Sequence, residues 1–361
     1  MKMPADVIRE EILKSGVISF ARFMELALYC PETGYYEANR DIVGQRGDFI
    51  TSVSTGSLFG ELLAFQFEEW LQELPVGGCR LPIVEAGAHG GQLAGDILTW
   101  LQANRPKLFE KIEHIIVEPS RNRQRWQEET LKNFSEKVAW VSQLSELKDR
   151  QFTGGVIFSN ELLDAFPVHR YGWDAAKKSW FEWGVALEAG NFCWVRMTHD
   201  KSSLPQLCPP ELEAVLPDGY MVETSPAAEI WWREAAGILS HGKLLTIDYG
   251  HSAEERFSPA RLRGTLRAYR RHQVSDELLA NPGEQDLTAH VNFFAIQKAG
   301  EAAGLKTEQF STQPQFLTRI LQKAVTEKMF AGLNAKQVRQ FQTLTHLEHL
   351  GRAFRVLVQS R

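Results

Sequence analysis

Residues 83–93 read IVEAGAHGGQL, a β-branched run followed by a glycine-rich turn and the start of an amphipathic stretch. Glycine permits positive φ and lets the backbone approach a ligand closely, so a strand, a glycine turn and a helix in this order can cradle a nucleotide-like ligand. The dinucleotide fingerprint G-x-G-x-x-G needs glycine at position 89, where this chain has histidine. The segment therefore predicts a ligand without a pyrophosphate, and a turn that binds nothing is the alternative.

S-adenosylmethionine (SAM) is such a ligand, and the motif E-x-G-x-G-x-G is typical of the turns that bind it. In this chain Glu85, Gly87 and Gly91 match that motif, and His89 stands in place of the middle glycine. We therefore predict SAM as the cofactor and these four residues as part of its site.

Short β-branched runs alternate with amphipathic stretches after residue 80, which predicts a parallel sheet covered by helices on both faces. The predicted strands are Pro82–Ala86, Ile112–Val117, Lys137–Val141, Gly155–Ser159 and Lys243–Asp248. The predicted helices of the sheet follow Gly91, Ser120, Asn160 and Ser225. The later predicted elements are a helix from about His290, a strand near Leu305–Phe310, a helical pair within 314–350 and a closing strand Phe354–Gln359. The predicted fold class is therefore α/β, with a Rossmann-like doubly wound sheet.

The organisation along the chain changes near residue 80. Residues 1–80 are predicted to form a helical N-terminal lid region, in which Ser19 caps a helix over Phe20–Tyr29, and residues 81–361 a Rossmann-like core. Alternating aromatic residues predict inserted β-hairpins at about 167–220, and an arginine-rich loop belongs to a second insertion at about 250–290. That loop is interpreted as a solvated surface or as a docking surface for an acidic protein.

Composition excludes several classes of protein. The chain has 361 residues and a formal net charge of −5, so it lacks the basic field that holds nucleic acid, and no nucleic-acid partner is expected. Its apolar runs are far shorter than the roughly 18 residues of a membrane span, and its N-terminal residues do not resemble a targeting signal, which predicts a cytoplasmic protein. Cys30, Cys79, Cys193 and Cys208 are scattered, and no metal site is expected.

Acidic residues follow the second and fourth predicted strands. Ligands of open α/β sheets bind beyond the carboxyl ends of the strands, and an acid there accepts hydrogen bonds from ribose hydroxyls. Glu118 is therefore the predicted ribose ligand. Asn160, Glu161 and Asp164 are predicted to face the methyl donor and a guanidinium, amine or hydroxyl acceptor, although helix capping is an alternative. For Asp248, at the end of the fifth strand, a structural and a site-facing role are both open.

Several segments resemble one known family. These are Gly34–Tyr36, Gly47–Ser52, Leu58–Glu61, Asn160–Val168 and Asn281–Asn292. Over about residues 18–317 the chain is similar to the MidA family of SAM-dependent methyltransferases, whose mitochondrial members assemble respiratory complex I by methylating an arginine. The resemblance implies a class I methyltransferase fold, a protein substrate such as a respiratory-complex or other assembly partner, and an arginine acceptor. It also implies that Gly47, Asp48 and Thr51 line the pocket.

The chain departs from the family pattern at two places. Residues 51–56 read TSVSTG where the family has T-S-P-E-I-S, and His89 replaces a glycine. These departures leave open a second interpretation, a weak or inactive methyltransferase fold that serves as an assembly factor. An NAD-dependent oxidoreductase is a third, disfavoured by the missing glycine.

The predicted chemistry rests on acids beside the acceptor. An arginine is protonated at neutral pH, so Glu161, and then Asp164, are predicted to orient the guanidinium and help its proton leave, while Asn160 holds the methionyl end of SAM. The segment 281–292 is predicted to control substrate entry together with residues 34–52. In it, Asp286 and Thr288 are interpreted as helix caps. His290 is interpreted as the first residue of a helix and as a group that can take the acceptor's proton.

Overall fold

The chain folds into two compact units, each assembled from separate stretches of sequence. The computed structural model describes residues 2–38, 51–74, 80–150, 154–197, 204–270, 273–330, 332–346 and 348–361. The insertion unit comprises Met1–Asn39, Asp164–Ala228 and Ser252–Asn292, and the core unit comprises Arg40–Leu163, Glu229–His251 and Phe293–Arg361. The two predicted insertions nearly coincide with segments of the insertion unit, whereas the boundary expected at residue 80 is a limit of neither unit.

The core unit is built on a mainly parallel sheet. Its strands are β1 (Leu81–Ala86), β2 (Ile112–Val117), β3 (Val138–Val141), β4 (Gly155–Asn160), β5 (Gly242–His251), β6 (Lys306–Thr312) and β7 (Phe354–Ser360). Within the described residues these seven strands follow the order β3-β2-β1-β4-β5-β7-β6. Neighbours from β3 to β5 are parallel, and β7 is antiparallel to both β5 and β6. The predicted α/β class and Rossmann-like sheet are confirmed.

Helices cover this sheet because its strands are apolar on both faces, as parallel strands usually are. The helices of this unit are Leu58–Gln72, Gln92–Asn104, Pro106–Lys111, Arg121–Thr130, Phe293–Ala302, Gln313–Thr326, Ala335–Thr345 and most of Pro226–Ile238. The helix Leu58–Gln72 packs the ring of Phe67 with its centroid 5.0 Å from that of Phe158 on β4. The predicted helices after Gly91, Ser120 and Ser225 are confirmed.

The insertion unit contains antiparallel strands, as its alternating aromatic residues predict. Its described strands are Ile18–Ser19, His169–Asp174, Ser179–Glu188, Asn191–Arg196, Met221–Thr224, Arg267–Arg270, Gln273–Ser275, Asp286–Thr288 and Val291–Asn292, and its helices are Pro4–Ser15, Phe20–Tyr29, Tyr35–Ala38, Pro210–Glu213 and Ala253–Arg256. Ser19 caps the second of these helices by accepting a hydrogen bond from the backbone N–H of Arg22, as predicted. Within the described residues, no helix is both long and apolar enough to cross a membrane.

Three local predictions are wrong. The chain after Asn160 forms a single 3₁₀ turn, Leu163–Ala165, instead of a helix. Asp286 and Thr288 are not helix caps but belong to a strand, and the following helix begins at Phe293 instead of His290. In this strand Leu287 lies opposite Ala268 of the neighbouring strand, and both side chains are buried. The flanking residues Asp286 and Thr288 point to the other face, as alternate residues of a strand do.

Candidate active site

The ends of β1 and β4 meet at the point where the strand order reverses. β1 pairs with β2 on one side and with β4 on the other, and crevices at such switch points bind ligands in open α/β sheets. Gly87, directly after β1, is exposed and has φ of 78°, and a Cβ there would lie 3.0 Å from Cδ1 of Leu162, in the loop after β4. The two loops are therefore in contact, and glycine is required between them.

The glycine-rich turn keeps its conformation despite the histidine. His89 has φ of 45° and Gly91 has φ of 84°, so positions 87, 89 and 91 all lie in the region that favours glycine. The carbonyl of His89 accepts a hydrogen bond of 2.9 Å from Nε2 of Gln127. The replacement of glycine by histidine thus alters a side chain without removing the turn.

Two predicted cofactor residues are held by neighbouring side chains. The buried Glu118 carboxylate accepts hydrogen bonds from the backbone N–H of Ser120 at 2.9 Å, from Nε of Arg123 at 2.9 Å and from Nε2 of Gln127 at 3.1 Å. Glu85 lies inside the sheet, where its Oε2 is 3.0 Å from Nε2 of the buried His114. Both carboxylates are fixed in orientation, and their contact with a cofactor stays a prediction.

Glu161 has the most unusual environment of the predicted site residues. Its φ of 52° is rare for a residue with a side chain, and strain of this kind is concentrated at functional sites. Its Oε1 accepts hydrogen bonds from the backbone N–H of Ser52 at 3.0 Å and from Nδ2 of Asn160 at 3.1 Å. Its Oε2 and the Oδ1 of Asn160 are buried and have no hydrogen-bond partner in the described part of the chain. Two oxygens at the end of β4 thus lack a partner: Oδ1 of Asn160 is an acceptor, and Oε2 of Glu161 becomes one when the carboxyl group is ionised.

The charge of Glu161 depends on what binds beside it. Burial raises its pKa above the ordinary 4.5, the hydrogen bonds from Ser52 and Asn160 oppose that rise, and the negative charge of Asp248 adds to it, so that the pKa is about 8. The carboxyl group is therefore mostly protonated at pH 7. A cation beside Oε2 would favour the ionised form, so the binding of a cation here releases a proton.

Asp248, at the carboxyl end of β5, holds the loop that carries Glu161. Its Oδ2 accepts hydrogen bonds from the backbone N–H groups of Leu162 at 3.1 Å and Leu163 at 2.8 Å, and its Oδ1 accepts one from Tyr249 at 2.8 Å. The two bonds to Leu162 and Leu163 fix the backbone of the loop after β4. The structural interpretation of Asp248 is thus supported.

We expect Asp248→Asn to destabilise the protein and to lower the pKa of Glu161. The amide replaces one acceptor oxygen by a donor, so at least one buried N–H loses its partner, at a cost of about 1–3 kcal/mol. Urea unfolding measures this loss, and Asp218→Asn is the control because Asp218 accepts one backbone N–H in an exposed turn. Equal losses in the two variants would contradict the role given to Asp248.

Ser52 is a site residue that the sequence analysis missed. It is fully buried, and its Oγ lies 3.2 Å from Oε1 of Gln313 while its backbone N–H binds Glu161. The predicted Thr51 accepts a hydrogen bond of 3.1 Å on Oγ1 from the backbone N–H of Ser54. Gly47 and Asp48 lie outside the described residues. Only the family segment 47–52 points to Ser52, since its contacts are distant in sequence.

Two family segments meet inside the insertion unit. The hydroxyl of Tyr36 donates a hydrogen bond of 2.7 Å to Oδ1 of the buried Asp286, and its ring stacks on that of Tyr29 with centroids 5.6 Å apart. Burial, followed by the negative charge of Asp286, raises the pKa of Tyr36 well above 10, so its hydroxyl stays a donor at neutral pH. This contact joins Tyr36 of the first segment to Asp286 of the second, and the control of substrate entry by the two segments stays a prediction.

The predicted catalytic residues Asp164 and His290 also belong to the insertion unit. The carbonyl of Asp164 accepts a hydrogen bond of 2.9 Å from the backbone N–H of Ala289, and the backbone N–H of His290 donates one of 3.1 Å to Oγ1 of Thr265. These contacts fix the two backbones. The catalytic roles of the two side chains stay predictions.

The order of the core strands, the glycine turn after β1 and the acceptors after β4 define a class I methyltransferase. Residues 62–311 match the model of an S-adenosyl-L-methionine-dependent methyltransferase family, and the chain belongs to this family. The predicted resemblance to the MidA family of methyltransferases is thereby confirmed. The predicted cofactor, SAM, is the cofactor of this class, so the interpretation as an NAD-dependent oxidoreductase is not supported.

Relatives and a solved structure resemble the chain over most of its length. It is 28% identical to the protein arginine methyltransferase NDUFAF7 homolog, mitochondrial, of Drosophila melanogaster, over 98% of this chain and 84% of that protein. It is also 28% identical to the protein arginine methyltransferase NDUFAF7, mitochondrial, of Homo sapiens, over 81% of this chain and 67% of that protein. A Burkholderia thailandensis protein crystallised with S-adenosyl-homocysteine is 31% identical, with a TM-score of 0.84, and the match covers 99% of this chain and 92% of that one.

Proposed function

We propose that this methyltransferase acts on an arginine side chain of a protein. The observation that carries the proposal is the pair of buried oxygens without partners at the end of β4, Oδ1 of Asn160 and Oε2 of Glu161, the second of which accepts hydrogen bonds once Glu161 is ionised. A guanidinium presents several N–H donors in one plane and carries the positive charge that would ionise Glu161. The names of the relatives, which are protein arginine methyltransferases, support the same acceptor.

The residues present fit SAM as the methyl donor. The exposed backbone at Gly87 leaves space that a side chain would fill, and the oriented carboxylate of Glu118 stands at the end of β2, where a ribose is bound in such sheets. When bound, SAM supplies a methyl group activated by a positively charged sulfur. Asn160 and the glycine turn would hold it, and its placement against the acceptor nitrogen is the main requirement of the reaction.

The acceptor must lose a proton, because a guanidinium has a pKa above 12 and its protonated nitrogen is a poor nucleophile. In the proposed mechanism, Oε2 of Glu161 accepts a hydrogen bond from the guanidinium, which orients the attacking nitrogen. Ionised Glu161 then takes the proton as the nitrogen–carbon bond forms. Asp164 and His290 are proposed as further groups that hold the acceptor. The cytoplasmic location of the protein, expected from the sequence, stays a prediction.

The test incubates the purified methyltransferase with radiolabelled SAM and a lysate from a strain that lacks the gene for this methyltransferase. The labelled proteins of the lysate are then hydrolysed in acid and their amino acids are separated. We expect the label in methylarginine. Label in another amino acid would overturn the arginine acceptor. The absence of label from a protein that binds S-adenosylhomocysteine would favour the assembly-factor interpretation.

We expect Glu118→Ala to weaken the binding of S-adenosylhomocysteine about 10–100-fold, because hydrogen bonds to a carboxylate contribute about 1.5–3 kcal/mol each. Calorimetry measures the change. Glu113→Ala is the matched control: Glu113 lies on the same strand, away from its carboxyl end, and pairs with Arg150 at 3.3 Å. Unchanged binding by the Glu118 variant would show that the ribose lies elsewhere.

A further inference from the structure

Gln127 is a fully buried amide in a helix made almost entirely of polar residues. The helix Arg121–Thr130 reads RNRQRWQEET, and among its described residues only Gln127 is buried, with 0% of its surface exposed. A buried amide is costly unless its hydrogen bonds are made, so a glutamine at this position requires partners.

Three hydrogen bonds connect Gln127 to the ends of three neighbouring strands. Its Nε2 donates to the carbonyl of His89, after β1, at 2.9 Å and to Oε2 of Glu118, after β2, at 3.1 Å. Its Oε1 accepts a hydrogen bond of 2.9 Å from Nε1 of Trp140 on β3. An amide nitrogen has two hydrogens, so one hydrogen is available for each of the first two contacts. The indole fixes which end of the amide is the donor.

The bond to His89 acts where the backbone is strained. A residue other than glycine in the left-handed region costs about 1–2 kcal/mol, and the φ of His89 is 45°. A hydrogen bond to its carbonyl opposes relaxation of that peptide. The same helix packs against the turn, because a Cβ at Gly91 would lie 3.4 Å from Cα of Gln127.

We propose that Gln127 is a positioning residue for the cofactor, which sets the glycine turn and the Glu118 carboxylate at the spacing that SAM requires. The proposal rests on the cofactor roles given above to His89 and Glu118. It assigns to a single amide the two hydrogen bonds that connect the glycine turn to the Glu118 carboxylate. The histidine is tolerated in a turn built for glycine because this amide restrains it.

The first test compares two glutamines of the same helix. Gln127→Met keeps the size of the side chain and removes both donors, and we expect it to weaken S-adenosylhomocysteine binding about tenfold by calorimetry. Gln124→Met is the matched control, because Gln124 donates at 2.6 Å to the backbone carbonyl of Glu118 and not to its carboxylate. We expect that control to change the affinity less than twofold. Equal affinities in the two variants would overturn the proposal.

The second test is rescue by glycine at position 89. Glycine adopts positive φ without strain, so the loss caused by Gln127→Met should be about threefold smaller in a His89→Gly background, as a double-mutant cycle measures. A role confined to packing of the helix predicts the same loss in both backgrounds and would contradict the proposal. If the Met variant fails to fold, Gln127→Glu replaces it: the carboxylate keeps an acceptor for Trp140, loses both N–H donors and faces the carboxylate of Glu118, so its loss of affinity should be at least as large. If the wild type itself does not bind S-adenosylhomocysteine, the assigned cofactor site fails instead.

Discussion

Glu161→Gln is expected to slow methyl transfer at least about 100-fold while S-adenosylhomocysteine still binds, because removal of a positioned general base typically costs 10²–10⁴-fold. The amide cannot ionise, so it neither neutralises the guanidinium nor takes its proton. A single-turnover assay with the acceptor identified from the lysate measures the effect. Unchanged turnover would remove Glu161 from the mechanism.

The pH dependence of the reaction follows from the same group. Glu161 has a pKa of about 8 and acts in its ionised form, so kcat/KM for the acceptor should rise with pH with a midpoint near pH 8. Asp248→Asn should move that midpoint to lower pH, since it removes a neighbouring negative charge. A midpoint below pH 6 in the wild type would contradict the assignment.

The stability of the protein should also depend on Glu161. The ordinary pKa of 4.5 applies when the chain is unfolded and about 8 when it is folded, so between these values the folded protein holds a proton that the unfolded chain has released. Stability therefore falls as the pH rises from about 4.5 to 8 and remains lower above that window. We expect Glu161→Gln to lose less stability than the wild type between pH 5 and pH 9, as urea unfolding measures.

The second large effect is expected at Gly87. Gly87→Val should abolish detectable S-adenosylhomocysteine binding, since a side chain there meets Leu162 at 3.0 Å and fills the space beside the turn. The φ of 78° adds a conformational cost of about 1–2 kcal/mol to any residue other than glycine. Calorimetry measures the loss of affinity for S-adenosylhomocysteine, and thermal unfolding measures the loss of stability that the backbone strain causes.

Gly190 provides the matched control for the backbone cost. Its φ is 80°, and a Cβ there would meet nothing within 4 Å. Gly190→Ala measures the backbone cost alone and Gly87→Ala should lose at least as much stability, but only the variant at Gly87 should lose affinity for S-adenosylhomocysteine. A loss of affinity in both variants would indicate that general destabilisation, and not the site, is measured.

The core sheet could be predicted from the sequence because its signal is local. Strands buried on both faces appear as short apolar runs, and β2 has the bounds that its run Ile112–Val117 predicts. The glycine turn is likewise encoded in consecutive residues. His89 departs from the motif in its side chain, but its φ of 45° lies in the region that favours glycine.

The features missed by the sequence analysis depend on partners distant in the chain. A single 3₁₀ turn follows Asn160, and its start is held by Asp248, more than 80 residues away, which accepts the N–H groups of Leu162 and Leu163. The strand Asp286–Thr288 is stabilised by its pairing with Arg267–Tyr269, so its cap-like sequence was misleading. Ser52 and Gln127 act through one or two atoms, and no sequence pattern marks such contacts.

We expect burial to keep the carboxyl group of Glu161, at the end of β4, protonated until a cationic acceptor binds. Carbon-13 NMR of protein labelled at the glutamate carboxyl carbon tests it most directly. We predict one glutamate resonance with a midpoint near pH 8, which is absent from Glu161→Gln. Titration of every glutamate carboxyl below pH 6 would contradict the account.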